Sequence, residues 1–200
     1  MSKFKLNIEN VISQIKDLNK KSTKPILVAI DGRSGAGKST IAKQIASRLN
    51  GIAISSDDFW IGGSDEEWDK CTPQEKSDRA IDWKRIRTEV LEPLLEGKPA
   101  VWRSFNWKTG VGLTDECIKA KPTKIIVLDG AYSSRPELQD IIDLSILVEI
   151  SEDTNRRERL IKREGKDYMS SWHKRWDPAE DYYFSSVRPK SSFDIIITND

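Results

Sequence analysis

The sequence predicts an α/β fold with a parallel sheet, and three observations support this prediction. Five short apolar runs rich in β-branched residues are nearly continuous, a pattern typical of strands covered on both faces. Helical patterns lie between the runs, and strands that alternate with helices indicate βαβ units with right-handed crossovers. A glycine-rich motif of the phosphate-binding type follows the first run.

The elements follow in chain order from this pattern. A first amphipathic helix is predicted over 6–18, and later helices over 39–49 and 82–97. The strands are predicted at 26–30, 52–55, 124–129, 144–150 and 193–198. We predict a single domain over 1–200, with an N-terminal amphipathic segment at 1–24 and a lid at about 152–176.

Composition excludes several classes of protein. The 33 Lys and Arg residues nearly cancel the 32 Asp and Glu residues, so the basic excess expected of a nucleic-acid or membrane binder is missing. The sequence has no apolar run of transmembrane length, no signal-peptide pattern, and two cysteines without metal-type spacing. We therefore expect a cytoplasmic protein whose partner is a small molecule, with no nucleic acid and no membrane. The sequence leaves the oligomeric state open.

Residues 32–39 read GRSGAGKS and match the phosphate-binding pattern G-x-x-x-x-G-K-[ST]. Backbone N–H groups of such a loop turn inward around phosphate oxygens, and the following helix adds the positive end of its dipole. The lysine can reach the β- and γ-phosphates, and the serine hydroxyl can ligate Mg²⁺. The predicted ATP-binding residues of this loop are Gly32, Arg33, Ser34, Gly35, Ala36, Gly37, Lys38, Ser39 and Thr40.

The remaining sequence favours a small-molecule kinase among proteins with such a loop. A GTPase would carry a guanine-reading Asn-Lys-x-Asp element, which the sequence lacks, and a motor ATPase would need a longer chain. A kinase also needs an acceptor for the proton of the attacking hydroxyl. Asp57 and Asp58, in SSDDFW after the second strand, can supply it, and Phe59 and Trp60 can line the acceptor site. The alternative is that an aspartate here caps a helix.

Two further groups complete the predicted phosphate site. Asp129 ends the third core strand in LDGAY and can hold Mg²⁺ together with Ser39, although it could instead cap the next helix. Arg156, Arg159 and Arg163 share one helical face and are predicted to bind ATP as a mobile lid. The alternative for this segment is a solvated helix. Aromatic residues at 102–107 and 170–176 could stack on a ring substrate or pack the core.

Together these segments resemble the uridine kinase family of P-loop kinases, over roughly residues 25–200. That family is related to phosphoribulokinase, pantothenate kinase and nicotinamide riboside kinase. The resemblance implies the P-loop NTPase fold, with a five-stranded parallel sheet, helices on both faces and an Arg-rich lid. It also implies that Asp57 is the catalytic aspartate and that Phe105 stands where the family has a nucleoside-contacting tyrosine. The implied substrate-binding residues are Asp57, Phe59, Trp60, Asp82, Arg103 and Phe105.

The sequence thus predicts an ATP- and Mg²⁺-dependent kinase that phosphorylates a primary hydroxyl of a nucleoside or similar metabolite. Asp57, Lys38 and Arg159 are the predicted catalytic residues. Two alternatives remain open. The acceptor could be a non-nucleoside such as pantothenate or a sugar, or the chain could be a nucleotide-binding or ATPase module that phosphorylates no acceptor.

Overall fold

The computed structural model describes residues 3–199, with side chains described from Ile8 onward except at 167 and 168. Residues 1, 2 and 200 of the predicted domain lie outside the described residues. The strands are β1 (Ile26–Asp31), β2 (Ile52–Ser55), β3 (Ala100–Trp102), β4 (Ile118–Ala120), β5 (Ile125–Asp129), β6 (Leu144–Glu149) and β7 (Ile195–Thr198). The α-helices are α1 (Lys3–Lys21), α2 (Lys38–Arg48), α3 (Asp65–Lys70), α4 (Pro73–Arg79), α5 (Trp83–Arg85), α6 (Glu92–Leu95), α7 (Asp153–Glu164) and α8 (Lys166–Tyr182).

Five strands form one parallel sheet in the order β2-β5-β1-β6-β7, as the apolar runs predict. Side chains that alternate along the strands enter two different cores. Leu27 and Leu128 pack with residues of α5, α6 and α8 on one face, while Val28 and Val127 pack with α1 and α2 on the other. Helices therefore cover both faces of the sheet, which confirms the predicted fold class.

The register of the sheet places the chemistry at one edge. Asp129 of β5 lies opposite Ile30 of β1 on one side and Ser55 of β2 on the other. The carboxyl ends of these three strands, together with the segments that follow them, therefore meet at the same edge. This is the edge at which open α/β sheets bind their ligands.

Several elements differ from the predictions or are additional to them. The helix predicted over 82–97 is found as α5, a π-helical segment at Ile86–Leu91, and α6. The helices α3 and α4 and the antiparallel pair β3–β4 were not predicted. Both helices begin with a capping box, Ser64 with Glu67 and Thr72 with Glu75, so the sequence does contain their start signals. Within the described residues, no helix is both long and apolar enough to cross a membrane.

Candidate active site

The glycine-rich loop connects β1 to α2 and has the backbone shape that its motif predicts. Gly35 and Gly37 have φ angles of 84° and 92°, in the left-handed region that favours glycine. A side chain at Gly35 would also collide with the lid helix, because its Cβ would lie 2.8 Å from Leu160 Cγ. Helix α7 therefore packs directly on the loop, which brings its exposed arginines close to any bound phosphate.

Asp31, the last residue of β1, anchors the start of the loop. Its fully buried carboxylate accepts hydrogen bonds from the backbone N–H groups of Gly32 (2.7 Å), Tyr132 (3.0 Å) and Ser134 (3.0 Å). It also accepts a hydrogen bond from the Tyr183 hydroxyl at 2.8 Å. Burial raises the pKa of Asp31, while the hydrogen bonds from Ser134, Tyr183 and Gly32 act in the opposite direction. Asp31 thus connects the loop to the segment that follows β5 and to the C-terminal end of α8.

A cavity of about 230 Å³ lies over the loop and is lined by most of the predicted phosphate-site residues. Lys38 is buried there, and its Nζ donates to the Arg33 carbonyl oxygen at 3.1 Å. The predicted residues on this cavity are Ser34, Gly35, Gly37, Lys38, Ser39, Thr40, Asp57, Asp129, Arg159 and Arg163. The cavity therefore combines a cationic lysine and two arginines with two carboxylates.

Ser39 and Asp129 form the pair predicted to hold Mg²⁺. The Ser39 hydroxyl donates to Asp129 Oδ1 at 3.0 Å. The next helical segment, Pro136–Leu138, begins after Arg135, so Asp129 is not its cap. Burial raises the pKa of Asp129, and the Ser39 hydrogen bond and the Lys38 charge oppose that effect. Hard oxygen donors suit Mg²⁺, which is commonly bound by one or two carboxylates plus substrate phosphates. Among the described residues no cluster of three His, Cys, Asp or Glu side chains that could hold a metal ion occurs.

The two neighbouring aspartates of SSDDFW have different environments. Asp57 is exposed, and its carboxylate makes no hydrogen bond or ion pair within residues 3–199. Asp58 instead accepts a hydrogen bond from Trp102 Nε1 at 2.9 Å, and partial burial raises its pKa. Ser55 caps the short 3₁₀ helix that carries both residues, so neither aspartate is needed as its cap.

A second, larger cavity of about 580 Å³ adjoins the phosphate cavity and is lined by aromatic residues. Asp57 lines both cavities and so lies at their junction. The centroids of the Trp60, Trp68 and Trp176 rings lie 5.2–5.3 Å apart, in tilted and edge-on arrangements. The aromatic side chains on this cavity are Trp60, Trp68, Phe105, Trp107, Tyr132, Trp172 and Trp176. Five of the seven tryptophans of the chain thus surround one cavity.

The structure corrects the predicted role of the first lid arginine. Arg156 is 3% exposed and pairs with Asp153, Asp177 and Glu180, and it donates to the Ser34 carbonyl oxygen. Its guanidinium therefore binds groups of the protein itself, and Arg156 does not line the phosphate cavity. The Arg159 and Arg163 side chains are exposed and do line it.

Other predicted residues also lie outside the two cavities. Phe59 is fully buried, with its ring 6.3 Å from that of Trp102 and the Arg85 guanidinium 5.1 Å from its centroid. Asp82 caps α5 by accepting from the Arg85 N–H, and Arg103 bonds to Thr114 and Asp115. These three residues have partners within the protein, and they line neither cavity.

Three residues of the glycine-rich loop also lie off the phosphate cavity. Arg33 forms ion pairs with Glu180 and Asp181 of α8. Arg33 and Ala36 line a neighbouring crevice beside β6, and Gly32 lies against the Val148 carbonyl group. Trp60 and Phe105, which the sequence predicts at the acceptor site, do line the aromatic cavity.

Sequence reasoning did not identify Asp31 and Glu180 as site residues. A carboxylate directly before the motif was a signal for Asp31, but Glu180 is one acid in a charged helix and has no sequence signal. Trp172 and Trp176 belong to a segment for which stacking and core packing had both been considered. Each of them lines the aromatic cavity and packs with the core, so stacking on a substrate stays a prediction.

Comparison with known proteins agrees with this geometry. The model of the phosphoribulokinase / uridine kinase family matches residues 27–198. The uridine kinase of Ureaplasma parvum serovar 3 (strain ATCC 27815 / 27 / NCTC 11736) is 24% identical over 191 residues, covering 90% of each chain. That of Lactobacillus helveticus (strain DPC 4571) is 27% identical over 191 residues, covering 88% of each.

Solved structures show the same fold. The structure of a possible uridine kinase from Bacillus stearothermophilus has a TM-score of 0.68 at 16% identity, covering 94% of this chain and 99% of that one. A putative fructose transport system kinase from Silicibacter sp. TM1040 has a TM-score of 0.69 at 16% identity, covering 92% and 97%. Since the family model spans most of its length, the chain belongs to the phosphoribulokinase / uridine kinase family of P-loop kinases and is a phosphotransferase.

Proposed function

We propose that the protein transfers the γ-phosphoryl group of ATP to a primary hydroxyl of a nucleoside or similar small metabolite bound in the aromatic cavity. The observation that carries this proposal is the position of Asp57. Its unpartnered carboxylate lies where the phosphate cavity and the aromatic cavity meet. A group that accepts a proton from an acceptor hydroxyl must stand between donor and acceptor in this way.

The residues divide the reaction between them. Asp57 orients the acceptor hydroxyl and takes its proton as the new oxygen–phosphorus bond forms and the bond to the β-phosphate oxygen breaks. Lys38, Arg159 and Arg163 offset the negative charge on the transferring group and the leaving diphosphate. Mg²⁺, for which Ser39 and Asp129 supply oxygen ligands, would neutralise phosphate charge when bound. Because α7 lies on the loop, its exposed arginines can cover the triphosphate as a lid and exclude water.

The aromatic cavity supports a flat acceptor. Indole and phenyl faces stack on rings without requiring a particular edge pattern, and Trp107, which is 61% exposed, can adjust at the rim. Relatives of this chain are named uridine kinases, which agrees with a nucleoside. Phe105 has no hydroxyl that could form a hydrogen bond with a sugar or a base. A non-nucleoside acceptor is therefore the second candidate.

The test is an acceptor panel. Purified protein, Mg²⁺ and radiolabelled ATP are incubated separately with nucleosides, pantothenate and sugars, and a no-acceptor reaction reports ATP hydrolysis. We expect label in a nucleoside monophosphate and little hydrolysis without acceptor. Label in pantothenate or a sugar instead would replace the nucleoside assignment. Hydrolysis that no acceptor changes would indicate an ATPase module.

A further inference from the structure

Glu180 of α8 is a buried carboxylate in contact with the glycine-rich loop. It is 1% exposed, and its Oε1 accepts a hydrogen bond from the Ser34 backbone N–H at 2.8 Å. Its Oε2 lies 3.9 Å from an Arg33 nitrogen and 3.8 Å from an Arg156 nitrogen. No hydrogen bond to Oε2 occurs within the described part of the chain. A carboxylate in this environment is costly to bury unless such partners compensate for its lost hydration.

Arg156 holds the other side of the same residue. One of its guanidinium nitrogens donates to the Ser34 carbonyl oxygen at 3.1 Å, and Arg156 is itself almost fully buried. The N–H and C=O groups of Ser34 are therefore bound by two oppositely charged side chains that also attract each other. Charge-assisted hydrogen bonds of this kind are stronger than neutral ones.

The position of Ser34 in the loop makes this contact important for nucleotide binding. It directly precedes Gly35, which has a left-handed φ of 84°. Because glycine has no side chain, its backbone has few steric constraints of its own. Without the contacts of Ser34 with Glu180 and Arg156, the backbone of this part of the loop could rotate. The amide groups that face phosphate would then lose their alignment. A loop that must be ordered on binding binds its ligand more weakly than one already in shape.

We propose that Glu180 and Arg156 form a clamp on Ser34 that holds the loop in its phosphate-binding shape, with Glu180 acting as a positioning residue. The clamp contacts no substrate and acts through the backbone of Ser34. It deepens the proposed function and rests on it only in requiring that the loop binds a nucleotide. Glu180 lies one helical turn after Trp176, so α8 carries both the clamp and part of the aromatic cavity.

The test is binding of a non-hydrolysable ATP analogue with Mg²⁺, measured by calorimetry well below each variant's melting temperature. Glu180→Ala removes the acceptor, and we expect the Kd to rise about tenfold or more, as for loss of a hydrogen bond to a charged group. Glu180→Gln keeps an oxygen that can accept from Ser34, and we expect the Kd to stay within about threefold of wild type. Asp181→Asn is the matched control. Asp181 lies beside Glu180 on α8 and pairs with Arg33 of the loop, but it does not accept a hydrogen bond from the Ser34 backbone.

A second measurement does not depend on any variant folding. In the ligand-free wild type, the Ser34 amide should exchange with deuterium at least about a hundredfold more slowly than an exposed loop amide, since it is bonded to a buried carboxylate. Exchange at the exposed rate would overturn the proposal, as would Glu180→Ala binding the analogue like wild type. Equal losses in Glu180→Ala and Glu180→Gln would also overturn it, since the effect would then come from the buried charge. A wild type that binds the ATP analogue but phosphorylates no acceptor in the panel would refute the proposed function and leave the clamp standing, whereas a wild type that binds no analogue would overturn both.

Discussion

Asp57 and Asp58 are adjacent in sequence, and replacing each by asparagine separates catalysis from structure at this site. Asp57→Asn keeps the shape of the side chain but removes its ability to take a proton. Loss of a general base costs about 10²- to 10⁴-fold in kcat. At about 1.36 kcal/mol per tenfold, the activation free energy should rise by about 2.7–5.4 kcal/mol. Stability should not change, because the Asp57 carboxylate is exposed and has no described partner.

Asp58→Asn, by contrast, should leave catalysis nearly unchanged. The asparagine oxygen can still accept from Trp102 Nε1, so the contact at 2.9 Å survives in neutral form. Burial already raises the pKa of Asp58, which means that its charge is held at a cost. We expect kcat within tenfold of wild type and a change in unfolding free energy of about 1 kcal/mol or less.

The assay for this pair is initial-rate phosphoryl transfer with the acceptor identified by the panel, alongside thermal denaturation and binding of the ATP analogue. Both variants should bind the analogue like wild type. If Asp58→Asn is inactive while Asp57→Asn keeps its rate, the assignment of the base to the junction of the two cavities is wrong.

Three further predictions follow from the same geometry. Lys38→Ala should lower kcat about a hundredfold or more with the fold intact by circular dichroism, because a neutral side chain cannot offset transition-state charge; a rate within tenfold of wild type would contradict the loop assignment. Arg159→Ala should lower kcat about tenfold while leaving the melting temperature nearly unchanged, since an exposed arginine contributes little to stability. Arg175 donates two hydrogen bonds to Asp69 and holds the pKa of that carboxyl below its ordinary value of 3.8. Asp69 therefore stabilises the fold above that pH, and the stabilisation is lost as the pH falls through the lowered pKa. Asp69→Asn should melt below wild type at neutral pH, and the difference should shrink in acid, whereas a difference that is constant with pH would exclude this ion pair as its cause.

The sheet and the phosphate half of the site could be predicted because local sequence determines them. Continuous apolar runs specify buried strands, and the motif spacing specifies the loop between β1 and α2. Asp57 and Asp129 could be placed at this edge of the sheet for the same reason, since Asp57 lies two residues after one predicted strand and Asp129 ends another. In these places the residues that matter are close together in the chain.

The rest of the site depends on tertiary packing that the sequence pattern does not carry. Arg156, Arg159 and Arg163 share one face of α7, yet only Arg156 lies close enough to α8 to be buried by Glu180 and Asp177. Trp60, Trp68 and Trp107 of the aromatic cavity come from separate segments, and a helical spacing connects only Trp172 with Trp176 on α8. Phe59 and Trp60 are neighbours, but the Phe59 ring is buried in the core whereas the Trp60 ring lines the cavity.

The origin of the residues on the two cavities has a consequence for how such a protein can diversify. The loop, Asp129 and Asp57 all lie on or just after strands of the parallel sheet, whose register sets their relative positions. Trp68 and Trp107 lie instead on a short helix and in a surface connection outside that sheet. Substitutions in those outer segments can alter which metabolite is accepted while the transfer chemistry is inherited unchanged. New specificities within this lineage should therefore arise in the 60–113 region first, and paralogues should differ there more than at the strand ends.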